Sequence, residues 1–215
     1  MKLYIFEHCP FCVKARMPFG IRGIPIELIY LLNDDAQTPK SLVGRKVVPI
    51  LQKDDGACMP ESMDIIHYSE KHSDKPLFVG QLNPAISHWL AEVNSYINKL
   101  LMPRFVMIDF PEFATPASKA FYTANKEAYI GSFKDNLANT PALIERINAD
   151  LNILDPLIKS PAACNGKLSE DDIHLFAQLR GLSIVKGVTY PKQVDAYRNE
   201  MAKCCDIPNF DDIAI

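Results

Sequence analysis

Two cysteines two residues apart, Cys9 and Cys12 within EHCPFCVKARMPFG (Glu7 to Gly20), are the residues of this chain whose type and spacing suit chemistry best. Such a pair is a redox couple, half of a metal site, or two buried thiols. A zinc site needs four ligands. The chain has no second Cys-x-x-Cys and no His-x-x-His, and Cys204 and Cys205 are adjacent, an awkward arrangement for two ligands of one ion. Redox chemistry leads; the metal and inert-thiol readings stay open on the residues alone.

With Cys9 as the cap of a helix, Pro10 takes the first helical position, where its missing N–H costs nothing. Cys12 is then the third helical residue, on the same face as Cys9, and the two sulfurs can approach bonding distance. Cys9 also looks into the positive end of the helix dipole and at unpaired backbone N–H groups, which favour thiolate. A free thiol of pKa ~8.5 is about 3% ionised at pH 7, so full ionisation multiplies thiolate about thirtyfold. A drop of ~3.5 units weakens the nucleophile about fortyfold at a Brønsted slope of ~0.45. For attack the two effects nearly cancel. The gain lies in the step where Cys9 leaves, which calls for a mixed disulfide that a small thiol such as glutathione can resolve.

The elements that would hold this pair can be read around it. KLYIF (2–6) is a short buried strand, followed by a helix from Pro10 to about Gly20. Pro18 falls inside that helix and is expected to kink or end it. IPIELIYLL (24–32) reads as a second buried strand, and 39–43 as a short helix. VVPILQKDDGACM is a hairpin turning at Asp54-Asp55-Gly56, and PESMDIIHYSEKH is a helix. The order βαβαββα predicts a mixed four-stranded sheet of the thioredoxin type, its first two strands parallel and its last two antiparallel.

Residues 75–83 have the turn chemistry of a linker between a first domain over 1–74 and a second over 84–215. The second domain reads as all-helical. Asn83-Pro84, Thr115-Pro116 and Thr140-Pro141 each place a capping side chain before proline. Ile86, Trp89, Leu90, Val93, Tyr96, Ile97, Leu100 and Leu101 recur at helical spacing as a core stripe. In KLSEDDIHLF, Ser169 and Asp172 make a capping box, with Leu168 and Ile173 as its staple. His174, within that buried run, is a satisfied core or edge histidine.

Bulk composition narrows the function. A net charge of −3 with no basic run excludes a nucleic-acid surface. The N-terminal apolar stretch breaks at Glu7, too short for a signal peptide, and no segment reaches the ~18 apolar residues of a membrane span. The protein is therefore expected in the cytoplasm. There six cysteines do not read as a disulfide framework, and Cys58, Cys164, Cys204 and Cys205 are buried hydrophobes or incidental surface thiols.

HCPFC after the first strand, VVPIL before a hairpin and PESMDI opening the third helix together resemble a glutaredoxin built on the glutathione-transferase fold, of the large bacterial two-domain type. NGKLSEDD resembles the capping segment of glutathione transferases, so the likeness spans the chain. It implies a glutathione-dependent thiol–disulfide oxidoreductase with glutathione as co-substrate, no metal, and glutathionylated or disulfide-containing proteins as partners. Cys9 would take glutathione from a mixed disulfide, and Cys12 would resolve protein disulfides. Pro10 and Phe11 would adjoin the bound glutathione, and Pro49 would be a cis-proline facing the site. The Val48 backbone would pair with glutathione as an added strand. Glu61 would lie near the γ-glutamyl amine, with Ser62 and its helix N-terminus on the carboxylate. Lys14, Arg16 and Lys46 are candidates for the glycine carboxylate. A transferase, a dehydroascorbate reductase, an iron–sulfur role for Cys9 and a non-catalytic scaffold are the alternatives. A dimer is not excluded; the monomer is the expectation.

Overall fold

A computed structural model describes residues 1–71 and 75–215. Strands β1 (Lys2–Ile5), β2 (Glu27–Tyr30), β3 (Ile50–Gln52) and β4 (Cys58–Pro60) form one mixed sheet in the order β2-β1-β3-β4. β1 runs parallel to β2, with Leu3 opposite Leu28, and antiparallel to β3, with Tyr4 opposite Ile50; β3 and β4 pair antiparallel with Ile50 opposite Pro60. Helices α1 (Pro10–Ile21), α2 (Gln37–Val43) and α3 (Ser62–Lys71) complete the expected βαβαββα order. Leu3, Ile5 and Leu51 from the central strands pack with Ala15, Phe19 and Ile65 from α1 and α3.

Two expectations about this half need correcting. The second strand is shorter than 24–32 and is not buried: it lies at the sheet edge, with Glu27 and Tyr30 exposed. Its branched residues fit a half-covered pleated surface as well as a buried one, so composition alone did not separate the two. Pro18 does not end α1. The helix runs on to Ile21, and Arg22 N–H closes it on Pro18 O at 3.2 Å. Proline removes one backbone bond near the last turn, while buried Met17 and Phe19 anchor the turn on either side.

The chain continues as α4 (Pro84–Asn94), α5 (Asn98–Phe105), α6 (Pro116–Ile130), α7 (Phe133–Ala138), α8 (Thr140–Leu154), α9 (Glu170–Leu182) and α10 (Lys192–Cys205). The stripe from Ile86 to Leu101 is divided between α4 and α5. Ser95 and Tyr96 N–H turn back to Glu92 O and Val93 O, three residues earlier, and Ser95 Oγ also donates to Glu92 O at 2.6 Å. Two of the three proline-marked starts are capped as expected: Asn83 accepts from Ala85 N–H, and Thr115 forms a box with Ser118. Thr140 is not a cap. It is the first residue of α8, and its hydroxyl accepts from buried Arg104 at 2.9 Å. The expected domain end at residue 74 lies outside the described residues, as does His72.

The halves share one core. Val13, Met17 and Ile66 on the outer faces of α1 and α3 join the helical core that contains Ile173, Phe176 and Leu179. The approach is closest at Gly20, where a Cβ would stand 1.7 Å from Cys205 O. Charge ties the halves as well. Glu7 takes both Arg16 of α1, at 3.1 Å, and Arg180 of α9, whose guanidinium also donates to Glu7 O at 2.9 Å.

Candidate active site

The sheet topology explains why distant residues gather beside the cysteines. β1 and β3 are antiparallel, so the loop leaving β1 at Phe6 and the segment entering β3 at Pro49 emerge at the same end of the sheet. β3 and β4 are antiparallel too, which brings Glu61, at the exit of β4, to that end. The N-termini of α1 and α3 therefore meet there. The Val48–Pro49 peptide is cis, and Glu61 adopts φ of 72°, a left-handed conformation that a non-glycine side chain rarely takes. The left-handed backbone at Glu61 is the kind of strain that clusters at functional positions.

Cys9 is the N-cap residue of α1 with Pro10 behind it, as the spacing predicts. Both sulfurs are free thiols; Cys9 keeps 9% of its surface and Cys12 only 1%, so Cys12 sits behind Cys9. The Cys12 thiol hydrogen bond is the largest influence on Cys9 and lowers its pKa to about 6. Burial works against this, while His8 and the N–H groups of Cys12 and Phe11 assist. Cys12 is driven the opposite way, well above the usual thiol range, by burial first and then by its role as donor to Cys9. The pair is one thiolate and one thiol.

Cys9 opens into a cleft of about 970 Å³ between the two halves. Pro10, Phe11, Lys14, Lys46 and Val48 line its sheet side, and Leu90, Met102, Phe121, Tyr129 and His174 its helical side. Of the expected site residues, Cys9, Pro10, Phe11 and Val48 reach this cleft. Cys12, Pro49, Glu61 and Ser62 stand behind or beside it. Phe11 is 54% exposed at the rim. Ser62 is buried as the first residue of α3, and the Glu61 carboxylate accepts from Arg45 at 2.5 Å.

The three cationic candidates separate. Arg16 is buried and committed to Glu7, which removes it from the cleft. Lys14 lies 5.0 Å above the Phe11 ring, and Lys46 lies 3.7 Å above the Phe121 ring while donating to Asn33 O at 2.6 Å. Burial lowers the pKa of both lysines. Of the core and edge positions expected for His174 the structure gives the edge, a half-buried wall of the cleft; burial, with Lys14 nearby, lowers its pKa.

Two residues beside the cysteines were not singled out from sequence. His8 Nδ1 and Glu112 Oε1 are 2.5 Å apart, and Glu112 Oε1 also accepts from His8 N–H at 3.0 Å. The sequence signal was weak: a histidine next to a Cys-x-x-Cys, and a carboxylate 104 residues away in a Pro-Glu-Phe turn. Among the described residues no group of three or more His, Cys, Asp or Glu side chains could hold a metal ion, and no helix is long and apolar enough to cross a membrane.

A low-pKa cysteine capping the first helix of a thioredoxin-type sheet, with a second thiol buried behind it and an all-helical half across the cleft, defines a thiol–disulfide oxidoreductase on the glutathione-transferase fold. Comparison with known proteins gives the family. Residues 85–214 match the family model described as Glutaredoxin 2, C terminal domain, and residues 3–76 match that of the glutathione S-transferase N-terminal domain. The chain is 54% identical over 215 residues to Glutaredoxin 2 of Escherichia coli K12, covering all of both chains. The structure of Glutaredoxin 2 from Salmonella typhimurium in complex with glutathione superposes with a TM-score of 0.98 at 53% identity, over 100% of this chain and 98% of that one. A glutathione S-transferase from Rhodospirillum rubrum shares the fold at 15% identity, with a TM-score of 0.63 over 97% of this chain and 89% of that one. The chain belongs to the glutaredoxin 2 family, whose members are glutathione-dependent oxidoreductases.

Proposed function

We propose that this protein reduces glutathione mixed disulfides and protein disulfides, with Cys9 as nucleophile and Cys12 as resolving thiol. The observation that carries the assignment is the placement of the two sulfurs: Cys9 caps α1 and opens into the cleft, with Cys12 buried behind it. Cys9, at about 6, is thiolate at neutral pH, whereas Cys12 stays protonated. Cys9 thiolate attacks the glutathione sulfur of a mixed disulfide R–S–S–G. The Cys9–glutathione disulfide forms, and RS⁻ leaves and takes a proton from solvent. A second glutathione thiolate then attacks the bound glutathione sulfur, expelling Cys9 thiolate and giving glutathione disulfide. On a protein disulfide, Cys9 thiolate attacks one sulfur and releases the other as a thiolate; Cys12, after losing its proton, then attacks the Cys9 sulfur and expels the second protein thiolate, freeing the reduced protein. The resulting Cys9–Cys12 disulfide is then reduced by two glutathiones.

Glutathione would lie along the sheet end, its backbone pairing with Val48 beside Pro49 and its thiol at Cys9 between Pro10 and Phe11. Its γ-glutamyl group would meet Glu61 and Ser62 at the α3 N-terminus, which suits a carboxylate. That the Salmonella relative was solved in complex with glutathione supports glutathione as the ligand. Lys14 and Lys46 are the cations left for the glycine carboxylate. We place the protein in the cytoplasm and take it as a monomer.

The test is glutathione-coupled reduction of a small mixed disulfide by the native protein, Cys9→Ser and Cys12→Ser. The proposal requires Cys9→Ser to be inactive and Cys12→Ser to keep substantial activity on that substrate while losing it on protein disulfides. Equal loss in both variants would replace it with an obligatory dithiol cycle.

A further inference from the structure

We propose that His8 and Glu112 form a buried ion pair, imidazolium against carboxylate, whose positive member is the residue next to Cys9 in the chain and shares its cleft. The helical half, through Glu112, thereby helps choose which sulfur is the thiolate. Both are positioning residues, acting through Cys9. The inference rests on Cys9 being the nucleophile proposed above and adds the origin of its charge.

Three observations carry it. Glu112 is 0% exposed, and a carboxylate removed from water needs a countercharge or several donors. Its Oε1 meets only His8, through Nδ1 and the backbone N–H, and its Oε2 has no hydrogen-bond partner among the described residues. Among those residues Glu112 makes no ion pair other than the one with His8. If Glu112 is ionised, the imidazole is the group available to balance it.

The His8 ring is buried among aromatic side chains, so desolvation opposes a cation there and the Glu112 carboxylate is what offsets it. The ring stacks on Phe6 at 6.0 Å and on Phe113 at 5.2 Å, with Phe105 tilted at 5.1 Å and Tyr122 perpendicular at 5.2 Å. Aromatic faces attract a desolvated cation. Chain connectivity then fixes polarity, because His8 is bonded directly to Cys9 and Glu112 arrives from the other half.

Among the described residues, Cys12 and Tyr122 are the other ionisable groups that feel Glu112. His8 acts on Cys9 in the direction of thiolate, and Glu112 acts on Cys12 in the direction of thiol. Lys14 also faces Cys9. Tyr122 is held protonated by burial, with the Cys9 and Glu112 charges adding to it, so it contributes no charge of its own. One buried pair thus polarises both sulfurs in opposite senses.

The sign of one substitution decides the matter. Were Glu112 merely a nearby negative charge, Glu112→Gln would leave Cys9 easier to ionise. If Glu112 keeps His8 charged, Glu112→Gln removes the cation and Cys9 becomes harder to ionise. The experiment titrates Cys9 in reduced full-length native protein, Glu112→Gln, His8→Gln and the double variant, by the pH dependence of alkylation and of thiolate absorbance. The expected result is a rise of about one unit in each single variant. Release of glutathione from Cys9 should slow roughly threefold, following a slope of ~0.45. In the His8→Gln background, Glu112→Gln should produce no further rise.

An unchanged or lowered midpoint in folded Glu112→Gln overturns the proposal. Should that variant not fold, imidazole ¹⁵N shifts of His8 in the native protein decide instead. A doubly protonated ring at the pH where Cys9 is already thiolate is required, and a neutral ring refutes the pair. These readouts do not need turnover, so a failure of the disulfide assay would be distinguishable from a failure of this inference.

Discussion

At the scale of single residues, the chemistry rests on an asymmetry between two sulfurs that share a helix turn. The Cys-x-x-Cys spacing and Pro10 made the helix cap legible, because capping is a local property of adjacent residues. The fall at Cys9 was legible too, from its place at the helix N-terminus; what spacing could not supply was the rise at Cys12 and the main cause of the fall. Those depend on Cys12 being more deeply buried than Cys9, with a histidine held from 104 residues away assisting the fall. Alkylation of Cys9 should follow a single titration near pH 6, with the reactive form above it. Cys12→Ala, which removes the main hydrogen bond to the thiolate, should move that midpoint upward; an unmoved midpoint would deny Cys12 its role as donor. The same shift makes stability depend on pH. Folded Cys9 titrates at about 6 against 9.0 for the unstructured thiol, so its stabilisation is complete above 9 and lost as pH falls through 6. Reduced native protein should gain on the order of 2 kcal/mol between pH 6 and pH 8, relative to Cys9→Ser. Chemical denaturation at the two pH values measures this.

At the scale of elements, patterns that depend on near neighbours were readable and those that depend on packing were not. The capping box at Ser169 is present, with Asp172 Oδ2 accepting from Ser169 N–H at 2.8 Å. The other oxygen of Asp172 takes the Cys164 N–H at 2.7 Å and the Tyr197 hydroxyl at 3.0 Å, partners no local pattern could name. Asp172→Ala strands these buried donors and should cost ~3 kcal/mol or more, read as a loss of unfolding free energy. Gly20 teaches the same lesson. In sequence it stood only near the expected end of the first helix; in the fold it lies in the last turn of α1, where α10 presses its last carbonyl. Gly20→Ala must push the two helices apart, and ~1–3 kcal/mol of destabilisation is expected. An Ala variant as stable as the native protein would mean that the helices can part freely. The edge position of β2 was hidden for a related reason, since strand order is set by pairing and not by composition.

At the scale of the whole molecule, the two halves behave as one scaffold for the β1–α1 loop. Glu7, two residues before Cys9, receives Arg16 from its own half and Arg180 from the other, and the Tyr30 hydroxyl at 3.0 Å. The sequence showed the charges without showing that one carboxylate serves two buried guanidiniums. Glu7→Gln leaves both cations short of a countercharge and should destabilise the protein by ~3–5 kcal/mol. Denaturation of the variant checks this, and an unaffected protein would mean that the halves are held by apolar packing alone. The fold class was legible because the order of strands and helices fixes it. The cleft was not, since its far wall comes from helices whose relative placement only the folded chain reveals.

The most direct test of the account is to trap its intermediate. Cys12→Ser, incubated with glutathione disulfide, would be analysed by intact mass and by mapping the modified peptide, then returned to excess reduced glutathione. The account predicts one glutathione on Cys9, fully released by the second treatment. No adduct, an adduct elsewhere such as exposed Cys204, or an adduct on Cys9 that glutathione cannot remove would contradict it.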